Sequence, residues 1–199
     1  MDFARDKNGK TEQEFLRDYD VTKYFRPSVT VDAVLYRVLS PDTIKLLMIR
    51  RGGHPFIGMY AFPGGFVEKD EPCEYAVLRE LKEETDISGV NLSQLITAST
   101  PDRDPRWRNI TVVYSGEVNG DINFAAGDDA IDAKWFTVKR VGNMLFFTSE
   151  NKSFTCSLDV KRDGFGRIDI NSTKIMDRGL VAFDHAKIIC YLMDELARR

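Results

Sequence analysis

Glu80, Glu83 and Glu84 fall at i, i+3 and i+4 within CEYAVLRELKEET, residues 73–85. At about 100° per residue, three such carboxylates share one arc of a helix, with only the small Ala76 among them. Val77, Leu78, Leu81 and Thr85 cover a separate apolar arc. Like charges at this spacing repel, so the face is either solvated or holds a cation. Crowded carboxylates raise one another's pKa unless a cation intervenes. Hard divalent ions take oxygen ligands, and Mg²⁺ commonly uses few protein carboxylates together with water and substrate phosphate. The chemistry indicated is metal-assisted attack of water on phosphorus.

Basic residues that could meet a phosphate lie elsewhere. Arg103, Arg106 and Arg108 put three guanidinium groups within six residues, and Arg50 and Arg51 end an apolar strand. Each could bind a phosphate bidentately or simply be solvated. Trp107 could stack on a base or pack at a strand start. His54, in a Gly/Pro-rich loop, could move a proton or be an ordinary loop residue, and His185 reads as structural.

The elements that must position these groups follow from periodicity. Val29, Val31, Ala33 and Leu35 alternate with Thr30, Asp32 and Tyr36, which predicts a strand after Pro27. Residues 44–49 read as a strand covered on both faces. Further strands are expected at 60–62, 92–98, 110–116 and 133–138. The charged helix is predicted to start at Pro72. A last helix is predicted from Asp184 as N-cap, with Ile188, Ile189, Leu192, Met193 and Leu196 as its core stripe. Between them, 154–160 and 167–170 predict a hairpin around Asp163-Gly164-Phe165-Gly166. Phe146, Phe147, Phe154 and Phe165 suggest that the 140–179 segment caps the pocket or meets a partner chain. Residues 1–25 read as a loose extension, so the expectation is one domain over 1–199.

The spacing Gly65, five residues, Glu71, seven residues, then Arg79-Glu80-Leu81-x-Glu83-Glu84 resembles the Nudix box. One position departs: Asp86 stands where that family has a glycine, and Asp tolerates the left-handed conformation expected there. RPSVTVDAVLY, MYAFPGGFVE, TPDRDPRWRNITVVY, AGDDAIDAKWF and LVAFDHAKII, with Pro101 after the box, resemble the ADP-ribose pyrophosphatase branch. The resemblance implies an α/β protein of Nudix fold: an α/β/α sandwich with a mixed sheet, plus a β-hairpin insertion before the last helix. It implies Mg²⁺ or Mn²⁺ held by Glu80, Glu83, Glu84 and the Gly64 carbonyl, with Glu71 paired to Arg79 beside Gly65 as structural members of the motif. Catalytic roles are implied for Glu80, Glu83 and Asp129, which with Asp128 precedes the strand ending near Trp135. Arg51, Arg103 and Arg106 are the substrate-binding candidates. The implied reaction is hydrolysis of ADP-ribose to AMP and ribose 5-phosphate, by a homodimer. Alternatives are a nucleoside triphosphate pyrophosphohydrolase and, in another class, a non-catalytic ADP-ribose-sensing regulator. All the box glutamates are retained, and no winged helix is expected after the last helix.

Composition bounds the rest. At 43% hydrophobic and 30% charged residues, the 199-residue chain can bury a core, and disorder is a poor reading. A net charge of −3 argues against nucleic acid as a partner. The opening MDFARDKNGKTEQEF is too polar for a signal peptide and no apolar run reaches membrane length, so no membrane association is expected. Three cysteines with no CxxC pair fit a reducing cytoplasm.

Overall fold

Alternation in the first long strand sets the layers. In a computed structural model, which describes residues 4–119 and 130–199, β1 (Ser28–Ser40) buries Val31, Ala33 and Leu35 on one face and Val34 and Tyr36 on the other. β2 (Thr43–Arg51) runs antiparallel to it and β6 (Asn109–Glu117) parallel to it, so the sheet is mixed. β5 (Ser93–Ala98) closes one edge. Beyond β2 come β7 (Ala130–Val141), β8 (Met144–Ser149), β9 (Lys152–Asp159) and β10 (Lys174–Asp177). Two short strands, β3 (Tyr60–Ala61) and β4 (Gly64–Phe66), pair with β2 and β1.

Helix α2 (Cys73–Thr85) covers one face with Ala76, Val77 and Leu81, and α3 (His185–Leu196) covers the other with Ile188, Ile189 and Leu192. The expected α/β/α sandwich is therefore present. Fully burying a Val, Leu or Ile contributes about 1.5–3 kcal/mol, so packing rather than capping anchors α2. Pro72, expected as the first helical residue, is instead its extended N-cap and offers no side-chain cap. At the other end Asp86 takes the left-handed conformation (φ 57°) and its N–H donates to the Lys82 carbonyl. Leu78, read into the apolar arc, is exposed, and Ala76 is buried in its place. The helix rolls so that Glu80 and Glu84 flank the buried stripe instead of opposing it.

Before α3 the chain makes the expected turn and an earlier one. β8 and β9 pair across a two-residue turn at Glu150-Asn151, and Asp163–Gly166 forms a second turn closed by the Arg162–Ile168 bridge and by the Asp163 N–H to the Arg167 carbonyl (2.8 Å) and the Asp169 N–H to the Lys161 carbonyl (2.9 Å). The strands do not cap a pocket. They extend the sheet and bury Leu145, Phe147, Cys156 and Leu158 with α3. Of the four phenylalanines, Phe147 stacks on Phe154 at 4.6 Å inside the sandwich, while Phe146 and Phe165 are exposed. In the extension, a short α1 (Glu12–Arg17) is closed by a Thr11–Glu14 capping box and buries none of its residues. Among the described residues no helix is long and apolar enough to cross a membrane.

Candidate active site

Two glycines let the loop of β4 approach α2. A Cβ on Gly64 would lie 2.1 Å from the Val31 carbonyl oxygen of β1, and one on Gly65 would lie 2.3 Å from Glu80 Oε1. With no side chains in the way, the Gly64 N–H donates to Glu84 Oε2 at 2.8 Å. Arg79 ties the same loop from the opposite side. Its Nη2 donates to Glu71 Oε1 (2.6 Å) and to the Phe66 carbonyl (3.1 Å), and its Nη1 to Glu80 Oε1 (2.9 Å) and Glu83 Oε2 (3.1 Å). The Arg79 guanidinium draws the Glu71 carboxyl below its usual range, and its own pKa is raised in turn, chiefly by Glu71. This pairing occurs inside the motif at a partly buried site, where removing one partner leaves the other uncompensated.

The result is a cleft of about 710 Å³, a size ordinary for a small-molecule site. Its walls include Glu80, Glu84, Arg51, Arg103, Arg106 and Phe183. Burial raises the Glu80 carboxyl, opposed by Arg79. Burial also pushes Glu84 up to about 8, with the Gly64 N–H opposing and the Glu80 charge adding to the rise. Glu84 forms no salt bridge among the described residues. Two half-buried carboxylates one turn apart, one of them in no direct ion pair and offset only by the more distant Arg51 charge, suit a hard divalent ion. Among the described residues no three His, Cys, Asp or Glu side chains stand close enough to share an ion. Backbone oxygen, water and substrate phosphate would therefore complete its shell. Glu83 is not brought into the cleft: its side chain is 58% exposed and turned to Arg79, four residues back on the helix.

The arginines separate. Arg51 and Arg106 line the cleft, the latter gripped by Asp104 through Nε–Oδ1 (3.1 Å) and Nη2–Oδ2 (2.8 Å). Arg103 also reaches the wall, but as a buried group whose Nε and Nη2 donate to Asp184 at 3.0 and 2.8 Å. It is thus a strut between the 99–108 loop and α3, in contrast to the free phosphate ligand expected. Asp184 consequently does not cap α3 with its side chain. Arg50 donates to the Gly58 carbonyl, Arg108 to that of Asn109, and neither lines the cleft. Trp107 is exposed and packs on Phe25, away from the cleft lining. His54 lines the cleft from its exposed loop. Asp128 and Asp129 lie outside the described residues.

A polar cluster that periodicity did not single out forms the floor. Asp32, buried, accepts from Thr111 Oγ1 at 2.7 Å and lies 3.8 Å from Arg103 and 3.5 Å from His185 Nε2. Burial raises the Asp32 carboxyl, with Arg103 and Thr111 opposing. His185 stacks on Phe62 and accepts the Phe62 N–H through Nδ1, and burial drops its pKa to about 3, so it is neutral. The one sequence signal for this cluster is an aspartate interrupting an otherwise buried strand.

The profile described as NUDIX domain matches residues 27–158. This chain belongs to the Nudix family of pyrophosphohydrolases. It is 38% identical over 148 residues, 72% of this chain and 84% of the relative, to the ADP-ribose pyrophosphatase of Methanocaldococcus jannaschii. It is 34% identical over 114 residues, covering 56% of this chain and 45% of the relative, to the ADPR responsive transcriptional repressor NtrR of Acinetobacter baylyi. Among solved structures, a MutT/nudix family protein from Enterococcus faecalis superposes with a TM-score of 0.76 at 34% identity, over 96% of this chain and 71% of that one. The NUDIX domain of Shewanella oneidensis NrtR complexed with ADP ribose gives 0.57 at 34% identity, over 63% of this chain and 82% of that one. The Nudix fold is therefore shared across most of the chain, and the box helix lies at its centre.

Proposed function

We propose that this Nudix chain hydrolyses ADP-ribose to AMP and ribose 5-phosphate with Mg²⁺ or Mn²⁺. The observation that carries the reading is one cleft bearing the Glu80 and Glu84 carboxylates together with the Arg51 and Arg106 guanidinium groups. Such a mixed set suits a phosphate chain bound with a divalent ion. The resemblance to an ADP-ribose pyrophosphatase and to a domain complexed with ADP ribose supports the nucleoside diphosphate sugar.

A divalent ion held by Glu80, Glu84 and the Gly64 carbonyl would neutralise phosphate charge and lower the pKa of the attacking water. Arg79 fixes one oxygen of Glu80, and Glu80 Oε2, the oxygen that Arg79 leaves free, takes the proton of the attacking water. The P–O bond to the bridging oxygen breaks, and that oxygen leaves with the other phosphate. Arg51 and Arg106 hold the phosphates in line, and positioning supplies most of the remaining acceleration. Asp129 is the other candidate for the water's base, and Asp129→Asn with normal turnover removes it. Glu83 acts through Arg79.

The NtrR resemblance favours one competing reading, an ADP-ribose sensor without turnover. A panel of ADP-ribose, ADP-sugars, dinucleotides and nucleoside triphosphates with Mg²⁺ and Mn²⁺ separates the possibilities. AMP from ADP-ribose at the highest kcat/KM supports the proposal. Binding without product supports the sensor, and pyrophosphate released from a triphosphate moves the chain to another branch. We also infer a cytoplasmic homodimer, in line with three free thiols and with exposed Phe146, Phe165 and Met176 on the 140–179 segment. A monomer in sedimentation at micromolar concentration contradicts the dimer.

A further inference from the structure

We propose that Phe183 is a positioning residue for substrate phosphate: its ring holds the Arg51 and Arg106 guanidinium groups together in the cleft, where the pair takes one oxyanion. The carbon centres of the two groups lie 4.9 and 5.6 Å from the centroid of the same ring. Arg106 is also 5.4 Å from the Phe66 ring, so aromatic rings and guanidinium groups alternate as Phe66, Arg106, Phe183 and Arg51. Two like charges sharing one ring repel, yet each is fixed independently. Asp104 grips Arg106, and Arg51 donates from Nε to the Pro55 carbonyl at 2.8 Å. Arg51 is half-buried and forms no salt bridge among the described residues. A half-buried guanidinium with no carboxylate in direct contact, beside a second guanidinium, is the complement of a ligand anion. Burial and then the Arg106 charge lower the Arg51 pKa, with the Glu84, Asp104 and Asp32 carboxylates opposing.

The backbone points the same way. Phe183 adopts φ 50° and its neighbour Phe56 φ 63°, a region that bulky residues seldom enter. The two rings meet edge to face at 5.0 Å. Arg178 lies over Phe56 at 4.9 Å and donates to the Phe183 carbonyl at 2.9 Å, which locks the turn. Residues held in such conformations cluster at ligand clamps. Around Phe183 stand Ile49, Ala61, Ala133 and Ala182, with the Phe56 ring edge-on and the His185 ring 5.5 Å away. The cations require the ring face.

The identity of the anion as a diphosphate rests on the proposed function, so the test uses inorganic pyrophosphate as well as ADP-ribose. Pyrophosphate is titrated calorimetrically into the full chain in chelator. Phe183→Leu should weaken binding about tenfold, and Phe183→Tyr, which keeps the ring, should recover the wild-type constant within about twofold. Arg51→Lys, which keeps the charge but loses the planar stack, should weaken binding about tenfold with an unchanged melting temperature. The double variant should be no weaker than Arg51→Lys by more than about twofold, because both act through one stack. With ADP-ribose, Phe183→Leu should raise KM about tenfold and leave kcat within about twofold. Wild-type affinity in Phe183→Leu, or additive losses in the double variant, overturns the proposal. If Phe183→Leu does not fold, wild-type affinity in Arg51→Lys overturns it. A wild-type protein that never turns over ADP-ribose while these pyrophosphate titrations hold refutes only the hydrolase reading. Normal turnover with unchanged KM in Phe183→Leu refutes only this one.

Discussion

Glu84→Gln should make the metal-free protein more stable while abolishing its activity. The Glu84 carboxyl is pushed up to about 8 from an ordinary 4.5, mainly by burial. A carboxyl whose folded-state pKa is raised leaves the fold fully stable below 4.5 and costs stability as pH climbs towards 8. At about 1.4 kcal/mol per pH unit separating the folded and unfolded pKa values, ionised Glu84 destabilises the chelated protein by about 5 kcal/mol above pH 8. An amide of the same shape can still accept the Gly64 N–H and does not titrate. The assay is calorimetric unfolding in chelator from pH 4 to 9, comparing wild type with Glu84→Gln. The variant's advantage should be near zero at pH 4, open between pH 5 and 8, and then level off. His185, neutral with a pKa of about 3, gives a slope of opposite sign between pH 3 and 6.5, but it is common to both proteins and cancels in the difference. A divalent ion should reverse the order by raising the wild-type melting temperature and leaving that of the variant unmoved. A variant less stable than wild type at pH 8 in chelator would refute the reasoning that Glu84 is a buried carboxylate awaiting a cation.

Glu71→Gln should lower both the melting temperature and turnover, because it releases the Arg79 fork that clamps the β4 loop; calorimetry and steady-state rates read the two effects. Gly65→Ala would drive a methyl against the Glu80 carboxylate, so kcat should fall at least tenfold, or about 1.4 kcal/mol, while circular dichroism stays native. Phe147→Ala should cost about 3–5 kcal/mol in denaturant titrations through the cavity it leaves, with KM unchanged, since its ring packs between Phe136 and Phe154, away from the cleft lining.

What could be read from sequence was what local spacing encodes. The strands of the central sheet and the box helix emerge because alternation and 3.6-residue periods are local, whereas Asp86 is legible as a left-handed cap through the glycine that the Nudix box carries there. The internal pairing of Arg103 is not legible in the sequence because its partner Asp184 is 81 residues away. Asp32 and His185 form a cluster that local spacing does not show for the same reason, since one stands on β1 and the other opens α3. The turn at Asp-Gly-Phe-Gly is legible because its signal is local, whereas the β8–β9 turn at Glu-Asn carries a weaker one. Burial of Leu145 and Phe147 against α3 nevertheless sets the register. Glu83 was grouped with Glu80 and Glu84 because a helical wheel does not show which edge of an arc meets the cleft. The i, i+4 pairing with Arg79 draws it away.

The central claim is that the carboxylates of α2 form the metal-dependent centre of a diphosphate hydrolase. The most direct measurement is ADP-ribose turnover by the chelated wild-type protein as Mg²⁺ is titrated back, with AMP and ribose 5-phosphate quantified and Glu84→Gln run alongside. The account predicts no product in chelator, equal amounts of the two products rising to saturation with Mg²⁺, and a rate at least a hundredfold lower in the variant, or about 2.7 kcal/mol. Product formed at an undiminished rate in chelator, or by Glu84→Gln, would contradict it.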